Sequence, residues 1–222
     1  MYEWCDRTVN PVTGCLRHCP WCISRYNCIK FQSHVDMDTP AFHEDRLAQI
    51  QQGSNQIILL TSMSDPADWE TDWLSKTLKA AGDTPKHKFV MLSRDFRAFR
   101  EKMQFFSKPP NLMTGATIVS RDELERVKPY HPEILCFMPI LEKMGLGQES
   151  RYTIHAKWII AGADARQGER IIPKLSWIMD VAGMASKLSI PIWQDNTLSP
   201  YLGRRNLKQE LPSGWFVNGG KK

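Results

Sequence analysis

Three cysteines fall within one short segment, Gly14-Cys15-Leu16-Arg17-His18-Cys19-Pro20-Trp21-Cys22, at a C-x3-C-x2-C spacing. Thiolates this close on one loop can wrap a single metal centre. A [4Fe–4S] cube has four irons, and each ordinarily takes one cysteine. Three cysteines leave one iron without a protein ligand, and an open coordination position marks a catalytic rather than a structural metal site. Gly14 and Pro20 help such a loop to curl, because glycine tolerates unusual dihedrals and proline fixes one. A structural zinc site is the rival reading, with His18 or Cys28 as the fourth ligand. Zinc motifs usually come as two spaced pairs, and no second pair follows here. His18 also lies inside the loop, where its ring would strain to reach the same metal. Cys5, Cys28 and Cys136 are scattered.

The elements that must hold this loop can be read from apolar runs. Ile57–Leu60, Phe89–Leu92, Ala116–Val119 (entered through Gly115), Ile134–Met138, Trp158–Ala161 and Ile190–Trp193 each read as a buried strand. Near-continuous apolar strands are what a parallel sheet covered on both faces requires. Helical stripes lie between them. Trp69, Trp73, Leu74, Leu78 and Ala81 share one face, with Asp65 or Asp68 as cap and Gly82 as stop. Phe96, Phe99 and Met103 form a shorter stripe. Leu175, Ile178, Met179, Ala182 and Ala185 form another, opened by Pro173. The alternation of strand and helix predicts an α/β protein with right-handed crossovers. The first expectation is a closed or partly open (β/α) barrel, and the alternative is a doubly wound open sheet. Either places function at the carboxyl ends of the strands.

Bulk composition narrows the class. The 222 residues suit one domain, and a 42% hydrophobic share supports a sizeable core. No apolar run approaches the roughly 18 residues a membrane helix needs, and the start has no basic region followed by an apolar one. The expected location is therefore the cytoplasm, without a membrane partner, and there six cysteines argue against a disulfide framework. A net charge of +5 permits a polyanionic partner without demanding one. The histidines show no shared metal spacing and read as surface or structural residues.

The cysteine spacing, with aromatic Trp21 just before the last cysteine, resembles the signature of the radical S-adenosylmethionine (SAM) superfamily. Asn10-Pro11-Val12-Thr13-Gly14-Cys15 resembles the opening of a radical-SAM-like family of unknown function associated with bacteria and bacteriophages. Thr61-Ser62-Met63-Ser64-Asp65 resembles that family's motif after the second strand. Trp158-Ile159-Ile160-Ala161-Gly162-Ala163-Asp164 resembles its later strand, where a Gly-Gly-Glu-Ser-like sequence is usual. Two departures stand out. Ile23-Ser24 replaces the usual aromatic-Ala pair, and Ala163 and Asp164 replace the second Gly and the Glu.

The resemblance implies a single domain built as a partial (β/α)6 TIM-like barrel of radical SAM type. The cluster loop would span residues 14–23, the barrel about 10–196 and a C-terminal extension 197–222. It implies a [4Fe–4S] cluster on Cys15, Cys19 and Cys22, with SAM chelating the open iron. One electron from an external donor of the flavodoxin or ferredoxin type would cleave SAM to a 5′-deoxyadenosyl radical that abstracts hydrogen from substrate. The candidate SAM-facing residues are Trp21, Ser62, Ser64, Asp65, Ser93, Arg94, Thr117 and Gly162. Asp65 has the charge for the ammonium group, and Arg94 the fork for the carboxylate. Asp65 before Pro66 equally reads as a helix start. Gln194, Asp195 and Asn196 end the last strand and read as substrate-facing or as ordinary loop residues. The substrate is not legible. Arg204, Arg205 and Lys208 make a nucleic acid or nucleotide one expectation.

Overall fold

The computed structural model describes residues 2–145, 154–168 and 170–215, and the chain divides between Thr114 and Gly115 into two compact units.

In the first unit, β1 (Arg7–Thr8) pairs in parallel with β4 (Ile57–Leu59), and β4 pairs in parallel with β5 (Lys88–Ser93). The register sets Thr8 against Leu59 and Leu59 against Val90. β6 (Leu112–Thr117) neighbours β5, and its first half belongs to this unit. All three residues of β4 are buried, as the apolar run predicts for a strand covered on both faces. Helix α3 (Thr71–Gly82) connects β4 to β5, and α4 (Phe96–Met103) connects β5 to β6. Phe96, Phe99 and Met103 are buried along α4 as their spacing predicts, and Asp95 caps it by accepting from Ala98 N.

Two differences from the sequence reading have local causes. Asp65 caps a short 3-10 turn, Pro66–Asp68, rather than α3. Trp69 then runs extended, so the helix restarts at Thr71 without a side-chain cap and Trp69 packs in the core from outside it. β6 begins at Leu112, earlier than the apolar run from Ala116 suggests. Thr114 and Gly115 interrupt that run and hide the strand, although both are buried.

A second, smaller pairing in this unit sets the site. β2 (Val12–Thr13) and β3 (Ala41–Phe42) are antiparallel, with Val12 opposite Phe42 and Thr13 opposite Ala41. The cysteine segment and α1 (Ile23–Lys30) are therefore an excursion whose two ends are pinned side by side. Helix α2 (Leu47–Ile50) follows it.

In the second unit, the later half of β6 pairs in parallel with β7 (Ile134–Phe137), β7 with β8 (Trp158–Ala161) and β8 with β9 (Ile192–Gln194). β7, β8 and β9 are buried throughout. The last strand starts two residues later than its apolar run because Pro191 cannot donate to a ladder. Helix α5 (Arg121–Val127) lies between β6 and β7, capped by Ser120, and α6 (Leu175–Leu188) lies between β8 and β9. The stripe expected on α6 is rotated. Ile178, Val181, Met184 and Ala185 are buried, whereas Leu175 and Met179 stay about half exposed, at 53% and 54%. A short helix, α7 (Ser199–Leu202), follows β9. The parallel α/β order is as expected, and no helix among the described residues is long and apolar enough to cross a membrane.

Candidate functional site

The cysteine loop leaves β2 through Gly14, whose φ is +84°; a Cβ there would sit 2.1 Å from Thr39 O, so only glycine fits. Cys15 N–H donates to Met37 O at 2.9 Å, tying the start of the loop to the segment that leads back to β3. His18 takes a left-handed conformation, φ 46°, and its ring faces Asp38 on the surface, 3.6 Å away. Cys22 N–H donates to Cys19 O, and Cys22 Sγ accepts from Arg25 N at 3.4 Å as the N-cap of α1.

Cys15, Cys19 and Cys22 are all half-buried thiols, not disulfides. Burial pushes the Cys15 thiol up to about 11; the Arg17 N–H opposes the shift, and the charges of Asp65 and Cys22 add to it. Burial raises Cys19 too, with Arg94 opposing and Cys22 and Asp65 adding. Cys22 thus lies in electrostatic reach of both other thiols, and Asp65 faces the same two. Cys28 lies six residues along α1, roughly 9 Å further down the helix axis.

Among the described residues, no three His, Cys, Asp or Glu side chains converge on one point that a single metal ion could occupy. A [4Fe–4S] cube makes a different demand, because each thiolate meets its own iron. Cys15, Cys19 and Cys22, three half-buried cysteines on one loop, are the residues that could hold such a cube.

Three arginines surround the loop. Arg17 forks onto Asp68, with Nε to Oδ2 at 2.8 Å and Nη2 to Oδ1 at 2.6 Å. Its Nη1 reaches Asp95 at 3.2 Å, and its Nε lies 3.8 Å from Asp65. Arg25 donates to Cys15 O and Met37 O and pairs with Asp38. Arg94 lies over the Trp21 ring, 5.3 Å from its centroid, and its charge opposes the rise at Cys19.

The expected SAM-facing residues after β4 and β5 are mostly committed to the fold. Asp65 is 4% exposed and accepts from Ala67 N and Ser93 Oγ on one oxygen and from Arg94 N on the other. Burial raises its pKa, and those donors with Arg17 oppose the rise. Ser93 Oγ also accepts from Asp95 N. Ser64 Oγ accepts from Trp69 Nε1. Ser62 donates through both N and Oγ to Asn10 Oδ1, which takes Met63 N as well. Arg17, Arg25 and Asp95 were given no role by the sequence reading, Asp68 appeared there only as a candidate cap and Asn10 only as the start of a motif. The one available signal was an arginine placed between two cysteines.

In the second unit, Thr117 is half-buried at the end of β6. Gly162 is buried after β8, and a Cβ there would come within 2.8 Å of Met138 Cγ, a packing reason for glycine. Asp164 staples its own loop. It accepts from Arg166 N and both arms of the guanidinium, and from Ile171 N. Burial opposes its ionisation, yet the Arg166 contacts hold it below the ordinary aspartate value. Gln194 accepts from Lys208 N, and Asp195 caps the turn Asn196–Leu198, so both carry loop structure.

A family model described as Protein of unknown function (DUF5131) matches residues 1–196, and the chain belongs to that family. Comparison with curated proteins and with solved structures gave no match.

Proposed function

We propose that this member of the family is a radical SAM enzyme, with a [4Fe–4S] cluster on Cys15, Cys19 and Cys22. The observation that carries the reading is the thiol arrangement. Three half-buried cysteines share one loop pinned at Gly14, at Cys15 N–H on Met37 O and at Cys22, the N-cap of α1. Bound there with SAM, the cluster supplies one-electron cleavage of the sulfonium and a 5′-deoxyadenosyl radical for hydrogen abstraction.

The chain's own residues bind and orient. Arg94 and Trp21 form a half-exposed cation–aromatic pair beside Cys19, suited to a carboxylate and an adenine-like face. Asp65, Ser93, Ser64 and Ser62 shape the loops under that pair rather than offering open lone pairs to a ligand. The proposal includes the partial (β/α)6 barrel that the resemblance implies, an external electron donor of the flavodoxin or ferredoxin type, and a cytoplasmic setting. For the substrate we propose a nucleic acid or nucleotide, on the net charge of +5 and the exposed Arg204, Arg205 and Lys208.

Anaerobic reconstitution tests the reading. Iron and sulfide should load together, and reductant plus SAM should release 5′-deoxyadenosine. A loaded cluster that yields none, and whose electron paramagnetic resonance spectrum ignores saturating SAM, would reduce the chain to a non-catalytic iron–sulfur module.

A further inference from the structure

We infer that Arg17 is a positioning residue that locks the cysteine loop onto the acidic loops after β4 and β5, fixing Cys15 and Cys19 before any cluster arrives. Arg17 stands two residues from each of these cysteines. It sits midway along the segment between them, so a side chain anchored there restrains the chain on both sides. The anchor is a two-pronged fork on Asp68 at 2.6 and 2.8 Å, extended to Asp95 at 3.2 Å. Planar forks of this kind fix orientation as well as distance.

The residues that receive the fork are themselves held, Asp95 through its carboxylate and Asp68 through its backbone. Asp95 caps α4 through Ala98 N and donates its own N–H to Ser93 Oγ. Asp68 closes the 3-10 turn that Asp65 caps, and Lys102 braces that turn from beneath by donating to Ala67 O and Trp69 O. Arg17 therefore docks on a preset surface rather than on mobile side chains. The loop's own backbone ties lie at its two ends, Cys15 N to Met37 O and Cys22 N to Cys19 O. The span between them, where His18 turns left-handed, is held by Arg17. A site whose ligands are ordered beforehand loses less conformational freedom on binding.

The test uses the metal-free, reduced full chain. Each cysteine is alkylated with iodoacetamide and followed by mass spectrometry, with Cys28 on α1 as the internal reference. Arg17→Gln should speed alkylation of Cys15 and Cys19 about tenfold relative to Cys28, the scale of losing a charge-assisted fork. Arg17→Lys, which keeps a single charged contact, should fall between. Asp68→Asn, which removes the fork's partner, should act in the same direction. Unchanged rates at Cys15 and Cys19 in Arg17→Gln and Asp68→Asn overturn the inference. So does an equal acceleration at Cys28, which would make the role merely structural. Should Arg17→Gln fail to fold, Asp68→Asn decides on the same readout. A second readout rests on the cluster reading: iron and sulfide loaded per chain should fall in Arg17→Gln. Wild-type chain that takes up no iron sinks the cluster reading alone, because the alkylation rates judge Arg17 without it.

Discussion

The segment that carries the thiols and the loops that receive it are built in opposite ways, although both lie in the first unit. Helix α1, which follows the cysteines, buries none of its residues; Ile29 on it and Phe31 just after it are 74% and 70% exposed. It is held by polar ties: Arg25 to Cys15 O and Met37 O, and Ser24 Oγ to Ser62 O. The loop after β4 buries Ser64 and Asp65 and β5 ends on buried Ser93; Ser64 accepts one hydrogen bond, Ser93 makes two and Asp65 accepts three. The contrast teaches a division of labour. Groups that must meet a ligand sit on a surface excursion positioned by a few charged contacts, and the precision comes from a rigid, satisfied platform beneath.

The largest break in this contrast should come from the cysteines. Cys15→Ala, Cys19→Ala and Cys22→Ala should each bring iron and sulfide to background after reconstitution while leaving urea midpoints nearly unchanged. Cys28→Ala should load normally. The assignment is wrong if Cys28→Ala loses the cluster and Cys19→Ala keeps it.

The platform should respond the other way. Asp65→Ala strips the acceptor from Ser93, Ala67 N and Arg94 N and leaves Arg17 facing one carboxylate fewer. It should cost about 3 kcal/mol in urea denaturation, the scale for removing one partner of a buried charged network. Asp65→Asn can still cap the turn, but its amide turns an acceptor into a donor, so its cost should be about half that. A stability change below about 0.5 kcal/mol in Asp65→Ala would show that these hydrogen bonds do not hold the loops together.

A smaller effect, in the second unit, carries a pH signature. Asp164 has a depressed pKa, so its bond to Arg166 stabilises the fold while the carboxylate is ionised. That contribution is complete above the unfolded aspartate value of about 3.9 and fades as pH falls through the lower folded value. Asp164→Asn should therefore be about 2 kcal/mol less stable than wild type at pH 7, with the gap closing below about pH 4. A gap that stays constant down to pH 3 would assign the loss to packing.

The smallest expected change is in a slope. If Arg204 and Arg205 touch phosphates, their double alanine variant should flatten the log-log salt dependence of DNA or RNA binding by up to about 2. Absence of binding even at low salt removes the nucleic-acid substrate.

What the sequence determined by itself is what neighbouring residues encode. The C-x3-C-x2-C loop, the buried strands and the α4 stripe all follow from spacings of a few positions, and the structure keeps them. Caps and faces were less legible, because one residue can serve two geometries. Asp65 caps a turn rather than α3, and on α6 packing buries the face through Val181 and Met184 rather than the expected one through Leu175 and Met179. The partners of the cysteine loop were not legible at all. Arg17 meets Asp68 and Asp95 across 51 and 78 positions, and Asp65 meets Ser93 across 28. No local pattern specifies such pairs. They exist because parallel strands need long crossovers, which bring the carboxyl ends of β1, β4 and β5 to one edge from distant parts of the chain. The sequence supplied the thiols, but only the tertiary structure decided which charges would hold them.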